Sequence, residues 1–430
     1  MSTPLRIGIA GLGVVGGGTL KILMNQAQML SDRCGRPLVV TAVSARDKSK
    51  DRGVDMANIR WMDNPLDMAS DAEIDVVVEV IGGADGIAKE LVEQSLKNGK
   101  SVVTANKALI AHHGLALAKL AEASGAMLTF EAAVAGGIPI VKGLREGLGA
   151  NRFTRIAGIL NGTCNYILSN MWDTQRDFNE VFKEAQGMGY VEADPSLDID
   201  GIDAAHKLAI IASLAYGMAP AIDAVHAEGI SRVTLTDMLF ADELGCVIKL
   251  LGITTQSDRG VEVRVHPCLI AKDSQLAHIN GVTNAVLVEG DAIGTAIFEG
   301  PGAGEGPTAS SVVADILDIA RGLKYNPLTL PASKLADAKI APMAQLENCY
   351  YIRLGVIDQP GVLSAVTDIF KQEKISMRSV IQHSHKPGEM VHLVMTTHQT
   401  QEAAMERALK AIETLDSVKE QPYMIRMETL

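Results

Sequence analysis

Cysteine is scarce in this chain of 430 residues, and its five cysteines form no pair of the Cys-x-x-Cys type. A disulfide scaffold and a cysteine-ligated metal cluster are therefore disfavoured, and a reduced, cytoplasmic compartment is expected. Positive charge is also in short supply, because 39 basic residues face 51 acidic ones and leave a net charge of −12. This balance argues against nucleic acids and anionic membranes as partners.

Long apolar runs and low-complexity tracts are missing too. The apolar stretch near the N-terminus is broken by glycines and by Lys21, so it predicts neither a signal peptide nor a transmembrane segment. We find no repeat of solenoid length. With 47% hydrophobic and 21% charged residues, the composition is typical of a soluble globular protein, and the length predicts two or three domains.

The first motif is a glycine-rich turn between a predicted buried strand, residues 5–10, and a predicted helix, residues 17–24. Gly11 permits the tight turn, Gly13 lets backbone amides approach a diphosphate, and Gly16 lets the helix and strand pack closely. A diphosphate would sit at the helix N-terminus, next to Val14 and Val15, where unpaired N–H groups favour anions. The motif therefore predicts a dinucleotide site; a plain glycine turn is the alternative.

The loop after the second predicted strand, residues 38–44, bears on the choice of dinucleotide. It carries Arg46, Lys48 and Lys50, which suit the 2′-phosphate of NADP. Asp47 lies in the same loop and keeps NAD as an alternative, since an acidic residue there binds the ribose hydroxyls. An ordinary basic loop would have the same residues. We favour NADP(H) over NAD(H).

Continuous apolar segments over residues 74–81, 101–104 and 127–131 predict further strands of a parallel sheet. Lys107 comes shortly after the second of these, at the carboxyl end of the strand, where open α/β sheets bind ligands. A solvated lysine at the start of a helix would look the same in the sequence. Position alone does not separate the two interpretations.

An acidic stretch over residues 189–207 runs into a predicted helix that begins near Asp200 or Gly201 and ends near Tyr216. Asp203 and Lys207 are four residues apart and so share a face of this helix. An exposed ion pair is the ordinary interpretation, but the surrounding residues are apolar, and ion pairs are rarely buried without a function. A calcium loop is excluded, because its twelfth position would be Lys207.

The rest of the chain predicts two more units. Short β-like segments over 230–300 predict an antiparallel or mixed sheet covering the site, and the predicted helix over 309–321 is expected to return to the nucleotide domain. From residue 348 the order strand, helix, strand, strand, helix, strand predicts a ferredoxin-like unit. The expected fold class is α/β: a Rossmann-type parallel sheet (1–135), an α+β domain for substrate and oligomerisation (136–308) and a C-terminal βαββαβ domain (349–430).

These motifs together resemble the homoserine dehydrogenases that carry a C-terminal ACT domain. The resemblance rests on Gly-Leu-Gly-Val-Val-Gly, on Thr-Ala-Asn-Lys at 104–107, on the segments 131–139 and 160–168, and above all on the stretch 187–207. Asp-Gln-Pro-Gly-Val-Leu at 358–363 is similar to the ACT signature. The resemblance implies NAD(P)-dependent interconversion of L-homoserine and L-aspartate 4-semialdehyde, in threonine and methionine biosynthesis.

The resemblance also implies roles for individual residues. Lys207 would donate the proton to the aldehyde oxygen, Lys107 would supply a second cation near substrate and nicotinamide, and Asp203 would hold substrate together with Glu192. Asp198 would orient the lysine, with a solvated loop acid as the alternative, and Gly189 would contact the cofactor. A structural sodium ion would bind backbone oxygens at Glu131, Val134, Gly136 and Ile138.

Regulation and two rival functions complete the expectations. The ACT unit implies inhibition by L-threonine, bound between paired ACT domains of a homo-oligomer, a dimer or a tetramer. One rival is a semialdehyde dehydrogenase with Cys164 as thiol nucleophile, although a lone cysteine here is more often a small buried residue. The other rival is a non-catalytic amino-acid sensor, against which the intact set of lysines and carboxylates argues.

Overall fold

The computed structural model describes residues 3–191, 195–383 and 387–430. The described chain contains two sheets: a parallel sheet near the N-terminus and a mixed sheet that runs from the middle of the chain into its C-terminal region. The predicted fold class is confirmed. Glu192 lies outside the described residues.

The N-terminal region is a six-stranded parallel sheet in the order β3-β2-β1-β4-β5-β6. Its elements are β1 (Leu5–Ala10), α1 (Val14–Asn25), α2 (Ala27–Cys34), β2 (Leu38–Ser44), β3 (Arg60–Trp61), β4 (Val76–Glu79), α3 (Ile87–Lys97), β5 (Ser101–Thr104), α4 (Lys107–Ser124) and β6 (Leu128–Thr129).

Both faces of this sheet are buried. Val76 and Val78 of β4 join the apolar core formed with α1, whereas Val77 between them joins the core formed with α3 and α4. The period of two in a strand sends alternate side chains to opposite faces, so a strand buried on both sides must be apolar throughout. This is why the continuous apolar segments correctly predicted a parallel sheet.

The middle region begins with helices and continues into long strands. Its elements are α5 (Ile140–Lys142), β7 (Phe153–Ile159), α6 (Gly162–Thr174), α7 (Phe178–Gly187), α8 (Ser196–Ile199), α9 (Ile202–Tyr216), β8 (His226–Ala227), α10 (Leu235–Glu243), β9 (Cys246–Ser257), β10 (Gly260–Ala271), β11 (Thr283–Gly290), β12 (Gly294–Pro301) and α11 (Glu305–Ala320).

Helix α11 starts four residues before the predicted position. Its first turn contains Pro307, which precedes the predicted start of the helix at residue 309. Proline is tolerated in a first helical turn because an N–H there would have no partner within the helix. Val312, Val313 and Ile316 of α11 share an apolar core with residues of β1 and α1. The helix thereby packs against the N-terminal region.

The C-terminal region has the order of elements expected of a ferredoxin-like unit. Its elements are β13 (Glu347–Ile357), α12 (Val362–Gln372), β14 (Met377–Ile381), β15 (Met390–Thr397), β16 (Thr400–Gln401), α13 (Glu402–Glu413) and β17 (Tyr423–Glu428). The strands lie in the order β17-β13-β15-β14, and these neighbours are antiparallel.

This unit is continuous with the middle region, because β17 pairs in parallel with β10 through Cys268 and Arg426, Leu269 and Met427, and Ile270 and Glu428. One eleven-stranded mixed sheet results. Nine strands follow the path β12-β11-β7-β9-β10-β17-β13-β15-β14, and the other two, β16 and β8, pair with β13 and β10. The two units were expected as separate domains. Strand pairing between them is a long-range contact, and the local pattern of residues does not reveal it.

A buried arginine holds the two units together. Arg426 on β17 is 1% exposed and donates to Glu228 of the middle region at 2.7 and 3.1 Å. It also contacts Glu402 of α13, which in turn accepts from the Tyr350 hydroxyl at 2.7 Å. Burial would lower the pKa of Arg426, but the two carboxylates hold it above its ordinary value. A guanidinium paired on both sides can be buried; leaving its partners unpaired would be costly.

We therefore expect Arg426→Met to destabilise the protein by about 3–5 kcal/mol, because it keeps an unbranched apolar side chain but removes the guanidinium and leaves Glu228 and Glu402 without their shared partner. The measurement is thermal unfolding by calorimetry. Arg407→Met is the matched control: its partner Glu373 lies at 2.7 Å, but the arginine side chain is 60% exposed. The control should change the unfolding temperature little. Equal effects of both substitutions would contradict the prediction.

Candidate active site

A cleft of about 600 Å³ opens between the glycine-rich turn of the N-terminal region and helix α9. It contains residues from both regions, which the chain brings together from positions far apart. Among those lining it are Val14, Val15, Ala105, Lys107, Gly136, Asn161, Gly162, Thr163, Gly189, Tyr190, Asp198, Asp203, Lys207, Asn284 and Gly302.

The glycine-rich turn leaves room for a ligand at the start of α1. Gly11 has φ +102°, and a Cβ there would lie 2.5 Å from the carbonyl oxygen of Val80. A Cβ at Gly16 would lie 1.9 Å from the carbonyl oxygen of Gly11, whereas one at Gly13 would meet open space. Gly11 and Gly16 are thus required for packing, and Gly13 lies on the open side of the turn.

The first turn of α1 has the features of an anion site. Within the described parts of the chain, no side chain caps the N-terminus of α1, so its first amides are available to a ligand. Val14 is 64% exposed beside them. A buried polar atom faces the same cleft: Asn284 is 1% exposed, and its Oδ1 meets no donor among the described residues. These groups fit a bound dinucleotide, which would satisfy them.

Arg46 lies two residues after the end of β2 and is exposed. Lys48 and Lys50, further along the same loop, are exposed as well. The loop that carries them is held in place by Arg52, which donates to the carbonyl oxygens of Asp47 and Lys50. The side chain of Asp47 accepts from the backbone N–H and the hydroxyl of Ser49 at 2.9 and 2.7 Å. The carboxylate that would bind a ribose is therefore engaged within the loop.

Lys107 is the first residue of α4, and the residues before it form a buried network. Glu79 at the end of β4 accepts from the hydroxyl of Thr104 at 2.6 Å, and the Asn106 side chain caps the helix by accepting from the Leu109 N–H. Lys107 Nζ then reaches Asp203 Oδ1 at 2.8 Å. The lysine lies in the cleft rather than in open solvent.

Helix α9 runs from Ile202 to Tyr216, close to the predicted limits, and begins after Gly201 in the left-handed conformation. Asp203 and Lys207 are 7% and 9% exposed. Lys207 Nζ lies 2.7 Å from Asp203 Oδ2 and donates to the carbonyl oxygen of Leu160 at the same distance. The alternative of an exposed ion pair is therefore wrong. One carboxylate here bridges two ammonium groups.

The negative charge of Asp203 is balanced by direct contacts with the ammonium groups of Lys107 and Lys207. Burial alone would raise the pKa of Asp203, but Lys207 and Lys107 together hold it well below its usual range. The carboxylate therefore stays ionised through the neutral and mildly acidic range.

The turn between β7 and α6 adds residues that the sequence analysis did not select. Asn161 is 4% exposed, and its side-chain amide donates to Asp198 Oδ1 at 2.8 Å and to Asp203 Oδ2 at 3.0 Å. The sequence marks Asn161 only as a helix N-cap. The two hydrogen bonds that its amide donates reach residues 37 and 42 positions further along the chain, so no local signal could have predicted them.

Cys164 is not placed to act as a nucleophile. It is fully buried, its thiol donates to the carbonyl oxygen of Asp198 at 3.2 Å, and burial raises its pKa well above the ordinary value. A thiol nucleophile needs a lowered pKa and access to substrate. The rival thiol-dependent mechanism is not supported by this geometry.

Gly189 and Glu192 are the other candidate site residues of the acidic stretch. Gly189 follows α7 with φ +75° and lines the cleft, as a cofactor contact requires. Glu192, the expected substrate ligand, is outside the described residues.

The four backbone oxygens expected to bind sodium lie on the segment 131–138, where Glu131, Val134 and Ile138 are buried. Gly136 O accepts from the Ser311 hydroxyl at 2.7 Å, and Ile138 O accepts from the Ile140 N–H at 2.8 Å. A carbonyl oxygen has two lone pairs, so an ion would share these atoms with the hydrogen bonds. Neutral oxygen donors suit a monovalent cation.

The side chain of Glu131 serves the fold at this point. It accepts from the backbone N–H groups of Val141 and Lys142 at 3.0 and 2.8 Å. Burial, with the nearby carboxylate of Asp315, raises the pKa of Glu131 to about 7. Its contribution to a cation site would therefore come from the backbone.

Helices that could cross a bilayer are not found in the described portions of the chain, since none combines sufficient length with sufficient apolar character.

Comparisons with known proteins agree across nearly the whole chain. A family model described as homoserine dehydrogenase matches residues 139–317, one for the NAD binding domain of homoserine dehydrogenase matches residues 11–131, and one for the ACT domain matches residues 350–417. The chain is similar to proteins named homoserine dehydrogenase from Pseudomonas aeruginosa (44% identity) and Neisseria gonorrhoeae (43% identity), each covered over 99% of both chains.

Solved structures give the same result. The crystal structure of a homoserine dehydrogenase from Thiobacillus denitrificans has a TM-score of 0.93 to this chain and 45% identity, and the match covers 99% of each chain. Identity over this length shows the family as well as the fold, so the chain belongs to the homoserine dehydrogenase family and carries a C-terminal ACT domain.

Proposed function

We propose that this protein interconverts L-aspartate 4-semialdehyde and L-homoserine, on the route to threonine, methionine and isoleucine, with Lys207 as the proton donor. The observation that carries the proposal is the buried ion pair of Asp203 and Lys207 in the cleft at the mouth of the glycine-rich turn. A reduced nicotinamide bound at that turn supplies the hydride.

Lys207 supplies the proton in this scheme. Hydride addition turns the aldehyde carbonyl into an alkoxide, and an ammonium group at the oxygen both stabilises the charge and protonates it. The contacts of Lys207 with Asp203 and with the Leu160 carbonyl oxygen orient the ammonium group. The bond between hydrogen and nitrogen breaks as the hydroxyl of homoserine forms. In the oxidative direction, neutral Lys207 removes the same proton.

Asp203 serves both lysines. Its Oδ2 receives Lys207 and Asn161, and its Oδ1 receives Lys107. Because both oxygens are engaged, we assign to Asp203 the orientation of the two cations in addition to the expected contact with substrate. Glu192 is the carboxylate that we propose for the substrate ammonium group, and Lys107, with a side chain 38% exposed, is the cation nearest the open cleft. Asp198 supports the cluster through Asn161.

We propose NADP(H) as the favoured cofactor, with NAD(H) as the alternative. Gly11, Gly13, Val14, Val15 and Gly16 would hold the diphosphate. Arg46 is exposed after β2 and Asp47 is engaged with Ser49, which supports binding of a phosphate rather than of a free ribose. A hyperthermophilic archaeal homoserine dehydrogenase with 26% identity and a TM-score of 0.65 is described in complex with NADPH.

Sodium belongs to the same proposal. The backbone oxygens of Glu131, Val134, Gly136 and Ile138 would hold it. Gly136 lines the cleft, and its carbonyl is held by Ser311 of α11. An ion here would join the segment 131–138 to its neighbours in the fold, and its role would be structural.

Regulation by L-threonine is the third part of the proposal. ACT units bind amino acids in their family, and we propose that threonine binds between two ACT units of a homo-oligomer and inhibits. Strand β14 lies at the end of the sheet in the described chain and carries Val380, which is 41% exposed. An open strand with an exposed apolar residue is a surface on which a second copy can pair.

The first expected outcome concerns Lys207. Lys207→Ala should lower kcat for homoserine oxidation by about 10³-fold or more, since the proton donor is lost, and should leave NADPH affinity nearly unchanged. Initial rates and fluorescence titration with NADPH measure the two quantities. Lys272→Ala is the control, because Lys272 pairs with Asp242 on the surface. Turnover near that of the control would refute the assignment.

Cofactor preference depends on Arg46. Arg46→Ala should raise KM for NADPH about tenfold, as expected for one lost charge-assisted contact, and should leave KM for NADH unchanged. Arg33→Ala, at another exposed arginine of the N-terminal region, serves as the control. If both KM values moved together in Arg46→Ala, a 2′-phosphate contact would be ruled out at this residue.

Threonine inhibition is tested best on the full chain, because removing the ACT unit would also remove β17 from β10 and Arg426 from Glu228. Val380→Lys should weaken inhibition by L-threonine about tenfold or more, by placing a charge in the proposed contact, with homoserine oxidation retained. Light scattering reports the accompanying change in oligomer size.

Val39→Lys is the matched control for this substitution, since Val39 is also 41% exposed but lies in the N-terminal sheet. A wild-type enzyme that L-threonine does not inhibit would contradict the proposal. So would a Val380→Lys variant that L-threonine inhibits as strongly as it inhibits the control.

A further inference from the structure

Both polar atoms of the Asn161 side chain have hydrogen-bond partners. Its Oδ1 accepts from the backbone N–H of Cys164 at 2.8 Å and thereby caps helix α6. Its Nδ2 carries two hydrogens and donates to two carboxylates, Asp198 and Asp203. The residue is 4% exposed, so these contacts are made with little competition from water.

The cap determines which way the amide points. A carbonyl oxygen can accept from the Cys164 N–H, whereas an NH₂ group in that place would put two donors against each other. The NH₂ end must therefore face Asp198 and Asp203. A local feature of helix α6, its N-cap, thus sets the orientation of a donor inside the active cleft.

The position of Asn161 along the chain strengthens this connection. The preceding residue, Leu160, accepts from Lys207 Nζ at 2.7 Å through its backbone oxygen. The turn 160–161 therefore contacts both members of the ion pair on α9, the lysine through the main chain and the aspartate through the side chain. Helix α9 places Asp203 and Lys207 four residues apart on one face, and the turn 160–161 contacts both.

Two carboxylates meet at this amide, and one of them, Asp203, also pairs with Lys207 and Lys107. Asp198 is 9% exposed and Asp203 is 7% exposed, and each has an oxygen within 3.0 Å of Asn161 Nδ2. A shared amide donor compensates both charges and holds the Asp203 carboxylate in the orientation that Lys207 requires.

We propose that Asn161 is a positioning residue of the reaction: its amide holds Asp203 against Lys207 and bridges the carboxylates of Asp198 and Asp203. The inference rests on the proposed role of Lys207 as the proton donor. It assigns to Asn161 a second task beyond capping α6, and the two tasks can be separated by substitution.

Asn161→Asp is the informative variant because aspartate has nearly the same shape and is a good N-cap. It retains the acceptor for Cys164 but replaces the donor with a third carboxylate beside Asp198 and Asp203. We expect kcat to fall about 10²-fold at pH about 8, while NADPH affinity changes little.

The pH profile of Asn161→Asp provides a readout that a purely structural role would not move. Asp198 and Asp203 would raise the pKa of the new carboxyl group, whereas Lys207 and Lys107, which contact Asp203, would lower it. Burial of the site adds to the effect of the two carboxylates, so lowering the pH protonates the new group and restores an O–H donor. The ratio of kcat in the variant to kcat in the wild type should therefore rise as the pH falls from about 8 to about 6. Asn161→Ser, which caps α6 but provides a single donor, should show an intermediate kcat and no such recovery.

Asn165→Ser is the matched control. Asn165 is a buried asparagine one turn further along α6, and its amide donates to the backbone oxygens of Ile279 and Thr283 outside the cleft. The control should lower the unfolding temperature as much as Asn161→Ser does, but should keep kcat within about threefold of the wild type.

The outcomes separate this inference from the function on which it rests. Wild-type protein without homoserine oxidation would overturn the proposed function itself. An active wild type together with a Lys207→Ala variant that is inactive, and an Asn161→Asp variant that turns over within threefold at every pH, would overturn the role of Asn161 alone. Equal losses of kcat in Asn161→Ser and Asn165→Ser would also overturn it, because they would show a general effect on stability.

Discussion

The active cleft depends on a single buried carboxylate shared between two ammonium groups. Asp203 brings together Lys207 from its own helix and Lys107 from the start of a helix in the N-terminal region. Lys207 and Asp203 are both buried, and burial of either charge without the other would be costly. The contact therefore joins the dinucleotide-binding region to helix α9, which carries the lysine that we propose as the proton donor.

The surroundings of this carboxylate come from elements that serve other purposes in the fold. Leu160, whose carbonyl accepts from Lys207, directly follows strand β7, and Asn161 caps α6. The network of Glu79, Thr104 and Asn106 connects two strand ends. Rigid strands and helix ends place polar groups more accurately than loops do. The side chains of Asp203 and Lys207 are thus oriented by groups that also belong to secondary structure, and a substitution there affects orientation and stability together.

The C-terminal unit is joined to the middle region both by strand pairing and by a buried ion pair. Strand β17 extends the sheet of the middle region, and Arg426 connects Glu228 with Glu402 across the junction. The segment containing Glu228 also supports the start of helix α9: the Ile230 N–H donates to the carbonyl oxygen of Ile199 at 3.0 Å. The ACT unit and helix α9 therefore contact the same segment, residues 228–230.

The sequence by itself determined the class and order of the elements, because apolar periodicity, glycine turns and helix caps are local properties. It also marked Lys107, Asp203 and Lys207, since strand ends and helical spacing indicate which side chains share a place or a face. Only the tertiary structure decided that β17 continues the middle sheet, that Cys164 is buried against Asp198, and that Asn161 donates to two carboxylates. These contacts join residues far apart in the chain, where no local pattern records which partner a polar group will find.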